Sequence, residues 1–329
     1  GITNFQFEVA EDMLNEEEFR LIRSMRTGLI QLEIGVQSAN PRTIREIRRK
    51  MNLEQVRSAV FRIKEAGNVH QHLDLIAGLP YEDYESFARS FDQVYSMRPE
   101  QLQLGFLKVL KGSLMHEKAE EYGLLYQDRP PYEVLSTKWI SYADVIRLKG
   151  VEDMVEVYYN SGQFRNTMEH LEEEFSSAFG MYEELAAYYN ESGLAHMNHT
   201  RIARYEILDR FIGQIVQKDR SREEKQKAYR EWLTLDLYLR DNVKNRPDFL
   251  GENKVSPDEA AAFYKREEDS REYLSGYQGY DRRQMRRMTH LERIGGELLL
   301  FDYLSRDPLT GNARICVIRE KTGSENDEF

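Results

Sequence analysis

Four short β-rich runs, each followed by a helix-like stretch, set the strongest limit on what this chain can fold into. "ITNFQFEV" (2–9) precedes "NEEEFRLIRSMRTG" (15–28), and "LIQLEIGV" (29–36) precedes Asn40-Pro41 and "NLEQVRSAVFRIKEAG" (52–67). "VHQHLDLIAG" (69–78) precedes "DYESFARSFDQVYSM" (83–97), and "QLQLGFLKVL" (101–110) closes the series. The helix signals are local and specific. Asn15, Asn40 and Asn52 stand where N-caps belong, Pro41 fits a first helical position, and Gly28 and Gly67 fit helix ends. Strand and helix alternating every ~30 to 35 residues predict right-handed βαβ units and a parallel sheet. Four such strands do not close a ring, so the expected fold is α/β: a partial parallel (β/α) barrel over residues 1–115.

Beyond it the text changes. Residues 116–131 read as a linker ending at Pro130-Pro131, and 132–329 as a mainly helical domain. Its helices are expected over "SYADVIRLKGVEDMVEVYYN", "TMEHLEEEFSSAFGMYEELAAYYNE", "IARYEILDRFIGQIV" and "SREEKQKAYREWLTLDLYLRDNV", with a short one over Pro257–Tyr264. Two β-like runs around Asp307-Pro308-Leu309-Thr310-Gly311-Asn312 predict a terminal β-hairpin, and Ser324–Phe329 an acidic frayed end. No apolar run approaches the roughly 20 residues of a membrane span. The net charge of −11 argues against a broad nucleic-acid surface. A single cysteine, Cys316, excludes an internal disulfide or a cysteine-built metal cluster, and it is expected to pack as a small hydrophobe. The opening residues lack a signal-peptide pattern, so the cytoplasm is the expected location.

In parallel α/β folds, chemistry collects at the C-terminal ends of the strands. Period-two alternation puts His70, His72, Asp74 and Ile76 on one face of their strand, with Gln71, Leu73, Leu75 and Ala77 on the other. Glu33, Gly35 and Gln37 share a face, as do Gln6 and Glu8. The lumen face thus gathers Glu8, Glu33, Gln37, His72 and Asp74, more polarity than a plain core tolerates without a ligand.

"LEIGVQSANPRTIREIRR" followed by "VHQHLDLIAGLPYEDYESFARSFDQVYSMRPEQLQLGFLKVL" resembles the later half of the catalytic barrel of radical S-adenosylmethionine enzymes. The likeness is to the branch that includes oxygen-independent coproporphyrinogen oxidase, elongator-type proteins and B12-binding radical enzymes. It covers about residues 1–115, and 132–320 resemble the helical C-terminal region of B12-binding-type members. The resemblance implies S-adenosyl-L-methionine and a 4Fe-4S cluster as cofactors, with cobalamin bound by a further domain in some members. In that reading Glu8 lies near the methionine amino group. Gln37 contacts the ribose or the methionine carboxylate, and Asp74 the ribose hydroxyls. Ile76 and Leu107 approach adenine, and Gly78 gives backbone room. The implied activity is reductive cofactor cleavage to a 5′-deoxyadenosyl radical, an oxidoreductase or transferase chemistry on an unknown small-molecule or peptide substrate, with an electron-donor protein as partner.

The CxxxCxxC motif of the family is absent from these residues. The expectation is therefore an inactive fragment, its cluster ligands and any cobalamin domain lying outside the chain. Two other readings stand beside it. His70, His72 and Asp74 on one strand face suit a metal-dependent hydrolase on a TIM-like barrel. The same text also suits a non-catalytic interaction scaffold.

Overall fold

The computed structural model describes residues 3–9, 14–217, 219–251 and 254–319, and the chain divides into two compact units, Gly1–Asn198 and His199–Phe329. The expected frayed end, Ser324–Phe329, lies outside the described residues.

The first unit opens with the βα series. Strand β1 (Phe5–Val9) leads to α1 (Glu16–Ser24), which Asn15 closes with a reciprocal capping box involving Glu18. Strand β2 (Ile30–Gln37) is followed by α2 (Pro41–Glu46), capped by Asn40, and α3 (Leu53–Ala66), capped by Asn52 and ended by Gly67 at φ 63°. Strand β3 (His70–Ala77), α4 (Tyr84–Tyr95) with Asp83 as cap, and β4 (Gln101–Phe106) complete it. The four strands form one parallel sheet in the order β1-β2-β3-β4. Leu32, Ile34, Val36, Leu73, Leu75, Leu102 and Leu104 are buried on one face, and the polar set expected from alternation occupies the other.

The following segment packs rather than links. After α5 (Leu114–Glu117), β5 (Leu125–Tyr126) pairs antiparallel with β6 (Val134–Ser136). Tyr122, Leu124 and Val134 are buried with Leu79 and Leu107. Helix α6 (Tyr142–Val155) runs into one π-turn (Glu156–Asn160), and α7 (Arg165–Leu171) and α8 (Ala178–Glu191) follow. The single helix expected over 167–191 is thus two, because Ser177 caps a new start. Helices 142–191, which the sequence groups with the C-terminal half, belong to the first unit. The cause is aromatic packing: Phe91 of α4 meets Phe179 at 5.5 Å and Tyr182 at 5.9 Å edge to face, and Asp92 accepts the Phe179 N–H at 2.8 Å. The π-turn places Asn160 against the free edge of β4, where its side chain accepts the Leu102 N–H at 2.9 Å and donates to the Leu102 carbonyl at 3.0 Å.

The second unit contains α9 (Arg201–Val216), α10 (Arg222–Arg240), a 3-10 turn (Asp248–Leu250), α11 (Pro257–Ser270) and α12 (Arg282–Met288). It ends in β7 (Thr289–Ile294), β8 (Glu297–Arg306) and β9 (Ala313–Ile318). The expected hairpin, β8 with β9, is one half of a three-stranded antiparallel sheet ordered β7-β8-β9. Gly295 and Gly296, at φ 60° and 84°, turn β7 into β8 as a two-residue hairpin turn. Cys316 packs against the apolar cluster of this unit, as expected.

Candidate functional site

The polar face of the parallel sheet converges at Gly35. In register, Glu8 pairs with Glu33, Glu33 with His72, and Gly35 with Asp74. The β2–β3 pairing then slips between Gly35 and Gln37, and Gln37 takes the left-handed conformation at φ 69°. Its side chain turns back, so that a Cβ on Gly35 would come within 2.7 Å of the Gln37 Nε2. The Arg49 guanidinium reaches the same hollow, 3.4 Å from that point. Gly35 therefore leaves room for the Gln37 amide to fold over it, and with Arg49 alongside and Asp74 opposite on β3 it makes a polar pit that a larger residue would crowd.

Electrostatics sharpen the site. Asp74 Oδ1 is buried with no hydrogen-bond partner among the described residues. Burial, then the neighbouring Glu33 carboxyl, then the charge of Glu8 hold the Asp74 carboxyl well above the ordinary range, and Arg49 opposes them. Glu33 accepts a hydrogen bond from Gln6 at 2.7 Å. Deeper on the face, Gln31 Nε2 lies 2.7 Å from His72 Nε2, and burial with the adjacent His70 pushes His72 down to about 4. Both histidines are thus neutral near pH 7, their rings 4.8 Å apart. Among the described residues no set of three His, Cys, Asp or Glu side chains could hold a metal, so His70, His72 and Asp74 do not make the metal site of the alternative reading.

The rim is built from the two loops that follow β2 and β3. Ser38 and Ser90 both donate to Glu82 Oε1, at 2.6 and 2.8 Å. Asn40 donates to the Tyr81 carbonyl at 2.9 Å and to Ser86 Oγ at 3.0 Å, and Thr43 donates to the Pro80 carbonyl at 2.8 Å. Burial pushes Glu82 up to about 7, above its 4.5 in water, against the two serine hydrogen bonds. The folded chain therefore holds this proton more tightly than the unfolded chain, and stability falls as pH rises from about 4.5 to 7. Urea unfolding at pH 5 and pH 8 should show a difference roughly 3 kcal/mol smaller in Glu82→Gln than in the parent chain. An equal difference in both would rule out Glu82 as the titrating group.

Of the residues named from sequence, the structure brings Gln37 and Asp74 together, with Glu8 exposed in the neighbouring strand and Ile76 half-buried further along the same face. Gly78 and Leu107 are placed differently. A Cβ on Gly78 would lie 2.7 Å from Val134 Cγ1, and Leu107 is buried in the cluster with Val134. Strand β6 takes the room that a ligand was expected to use. Arg49 escaped the sequence reading because it sits in helix-like text; the basic excess of "RRK" (48–50) was its only signal.

A parallel sheet with helices on one face and polar side chains on the other defines an α/β fold whose strand C-terminal ends are where such folds place ligands. Residues 1–94 match the Radical SAM superfamily, and residues 120–310 match the family described as protein of unknown function DUF4080. The chain belongs to the DUF4080 family, and its first part matches the radical SAM superfamily over those 94 residues. The oxygen-independent coproporphyrinogen III oxidase of Paracoccus denitrificans is 28% identical over 99 residues, which is 30% of this chain and 22% of that one. The anaerobic coproporphyrinogen III oxidase 1 of Cereibacter sphaeroides is 26% identical over 101 residues, 31% and 22% of the two chains. The chain thus spans about a fifth of the length of each of these relatives. The solved coproporphyrinogen III oxidase of Escherichia coli, described as a radical SAM enzyme, superposes with a TM-score of 0.34 at 20% identity, over 44% of this chain and 30% of that one. No helix among the described residues is long and apolar enough to cross a membrane.

Proposed function

We propose that the polar sheet face binds S-adenosylmethionine and that the chain forms the cofactor-holding later part of a radical enzyme's barrel. One observation carries this: Gln37 and Arg49 meet over Gly35, and its register partner Asp74 has a buried oxygen with no partner among the described residues. An unsatisfied buried carboxylate oxygen is costly, and a ligand hydroxyl would satisfy it. Glu8, Glu33 and Asp74 crowd negative charge that a cationic sulfonium or ammonium relieves, while Arg49 suits a carboxylate and makes no ion pair among the described residues. Asp74 would thus take ribose hydroxyls, Glu8 the amino group, Gln37 and Arg49 the carboxylate end, and Ile76 an apolar ring. When bound with a reduced iron-sulfur cluster, the cofactor supplies radical chemistry.

Cluster ligands do not fit this chain. Its one cysteine, Cys316, cannot supply the several thiolates of a 4Fe-4S cluster, which in this reading is held by residues outside these 329. A fragment reading is supported by β1, where Phe5 and Phe7 are 52% and 50% exposed on the face that elsewhere lies under helices. In the complete enzyme a further strand and helix would cover them, and the 329 residues alone would be inactive. Cobalamin, the electron donor, the substrate and a cytoplasmic setting belong to that whole protein in this reading.

Calorimetric titration of the 329-residue chain with S-adenosylmethionine tests it. One saturable site is expected, weakened about 10- to 100-fold in Arg49→Ala, the cost of a charged hydrogen-bond partner. Absence of binding by the parent chain would remove the proposal.

A further inference from the structure

Outside the pit, between α2 and the start of α3, lies an open groove of about 500 Å³. Arg45, Arg49 and Lys50 line it, with Ile44, Met51 and Gln55 among the apolar and amide groups, and no aspartate or glutamate is in its wall. The local charge is strongly positive. Arg42, Arg45, Arg48, Arg49 and Lys50 stand against Glu46 alone between 42 and 50, an excess of five minus one in a chain of net charge −11. Glu46 is committed elsewhere, accepting from Lys118 at 2.8 Å and from Tyr122. Arg42 is committed to the Tyr81 ring, 3.7 Å from its centroid. Among the described residues Arg45, Arg49 and Lys50 form no ion pair. Like charges gathered round a concavity repel each other, and their field is focused there.

We propose that this groove binds a small polyvalent anion, with Arg45 and Lys50 as its ligands and Arg49 as the wall shared with the pit. It sits at the C-terminal rim of the parallel sheet, beside the pit, where the molecule acted on would meet the cofactor. The ligand class is a compound bearing two or more phosphate or carboxylate groups. Only its role as the substrate's anionic arm rests on the function proposed above; binding itself does not.

The test titrates the full 329-residue chain with pyrophosphate and, in a second arm, with citrate. Saturable binding of one or both is expected, and the stronger arm assigns phosphate or carboxylate chemistry. Arg45→Ala/Lys50→Ala should weaken it about tenfold or more, whereas the charge-matched Arg20→Ala/Arg48→Ala, which leaves the groove wall intact, should change it less than about twofold. Equal weakening by both pairs would mean a diffuse field and overturn the site, as would the absence of saturable binding. Titration of the same variants with S-adenosylmethionine reads the pit separately. Its binding should survive Arg45→Ala/Lys50→Ala, so failure at one site is distinguishable from failure at the other.

Discussion

Asp74→Ala is expected to weaken S-adenosylmethionine binding about 30- to 150-fold while leaving the fold as stable as before or more so. The two effects should part because they have different origins. In the ligand-free chain the half-buried Asp74 carboxyl lies near Glu33 and Glu8, with one buried oxygen unsatisfied. Removing it relieves desolvation and like-charge crowding, so unfolding free energy should not fall. Binding, by contrast, would lose the acceptor for the ligand hydroxyls, a loss of ~2 to 3 kcal/mol or about 30- to 150-fold. Paired calorimetry and urea unfolding measure both quantities on one sample. A variant that binds normally but unfolds more easily would make Asp74 a structural residue.

Phe91→Ala should destabilise the first unit by about 3 to 5 kcal/mol, the cost of emptying a filled aromatic site. Phe91 is fully buried and touches Phe179, Tyr182 and Tyr95. Its partners lie on both sides of the 116–131 segment that the sequence suggests as a linker. Hydrogen exchange can therefore discriminate. Amides of β3 and of α8 should lose protection together if residues 1–198 form one cooperative unit. Loss confined to α4 and its strands would restore a boundary near 116–131.

Most of what was legible in the sequence is local. Asn15, Asn40 and Asn52 cap the helices they were expected to cap, because capping needs one side chain and the next few amides. The polar face was legible too, since alternation needs only period two. Gln37 shows the limit of that rule. It reaches the expected face through a register slip and a left-handed backbone, which no alternation encodes. Arg49, Val134 and Phe179 were out of reach for a common reason: each acts on a residue tens of positions away, and its own neighbours in sequence look ordinary. Val134 over Gly78 is the instructive case, because the glycine reads as open space until a distant strand is known to fill it.

The carboxylate at 82 has a mechanical consequence. Ser38, in the connection after β2, and Ser90, in α4, grip one oxygen of Glu82, and Asn40 and Thr43 stitch the start of α2 to the β3–α4 connection again. Such a clasp leaves Gln37 little freedom to swing outward as a flap. Capture of a guest at the pit would proceed against a pre-set wall, and any gating must come from another part of the polypeptide.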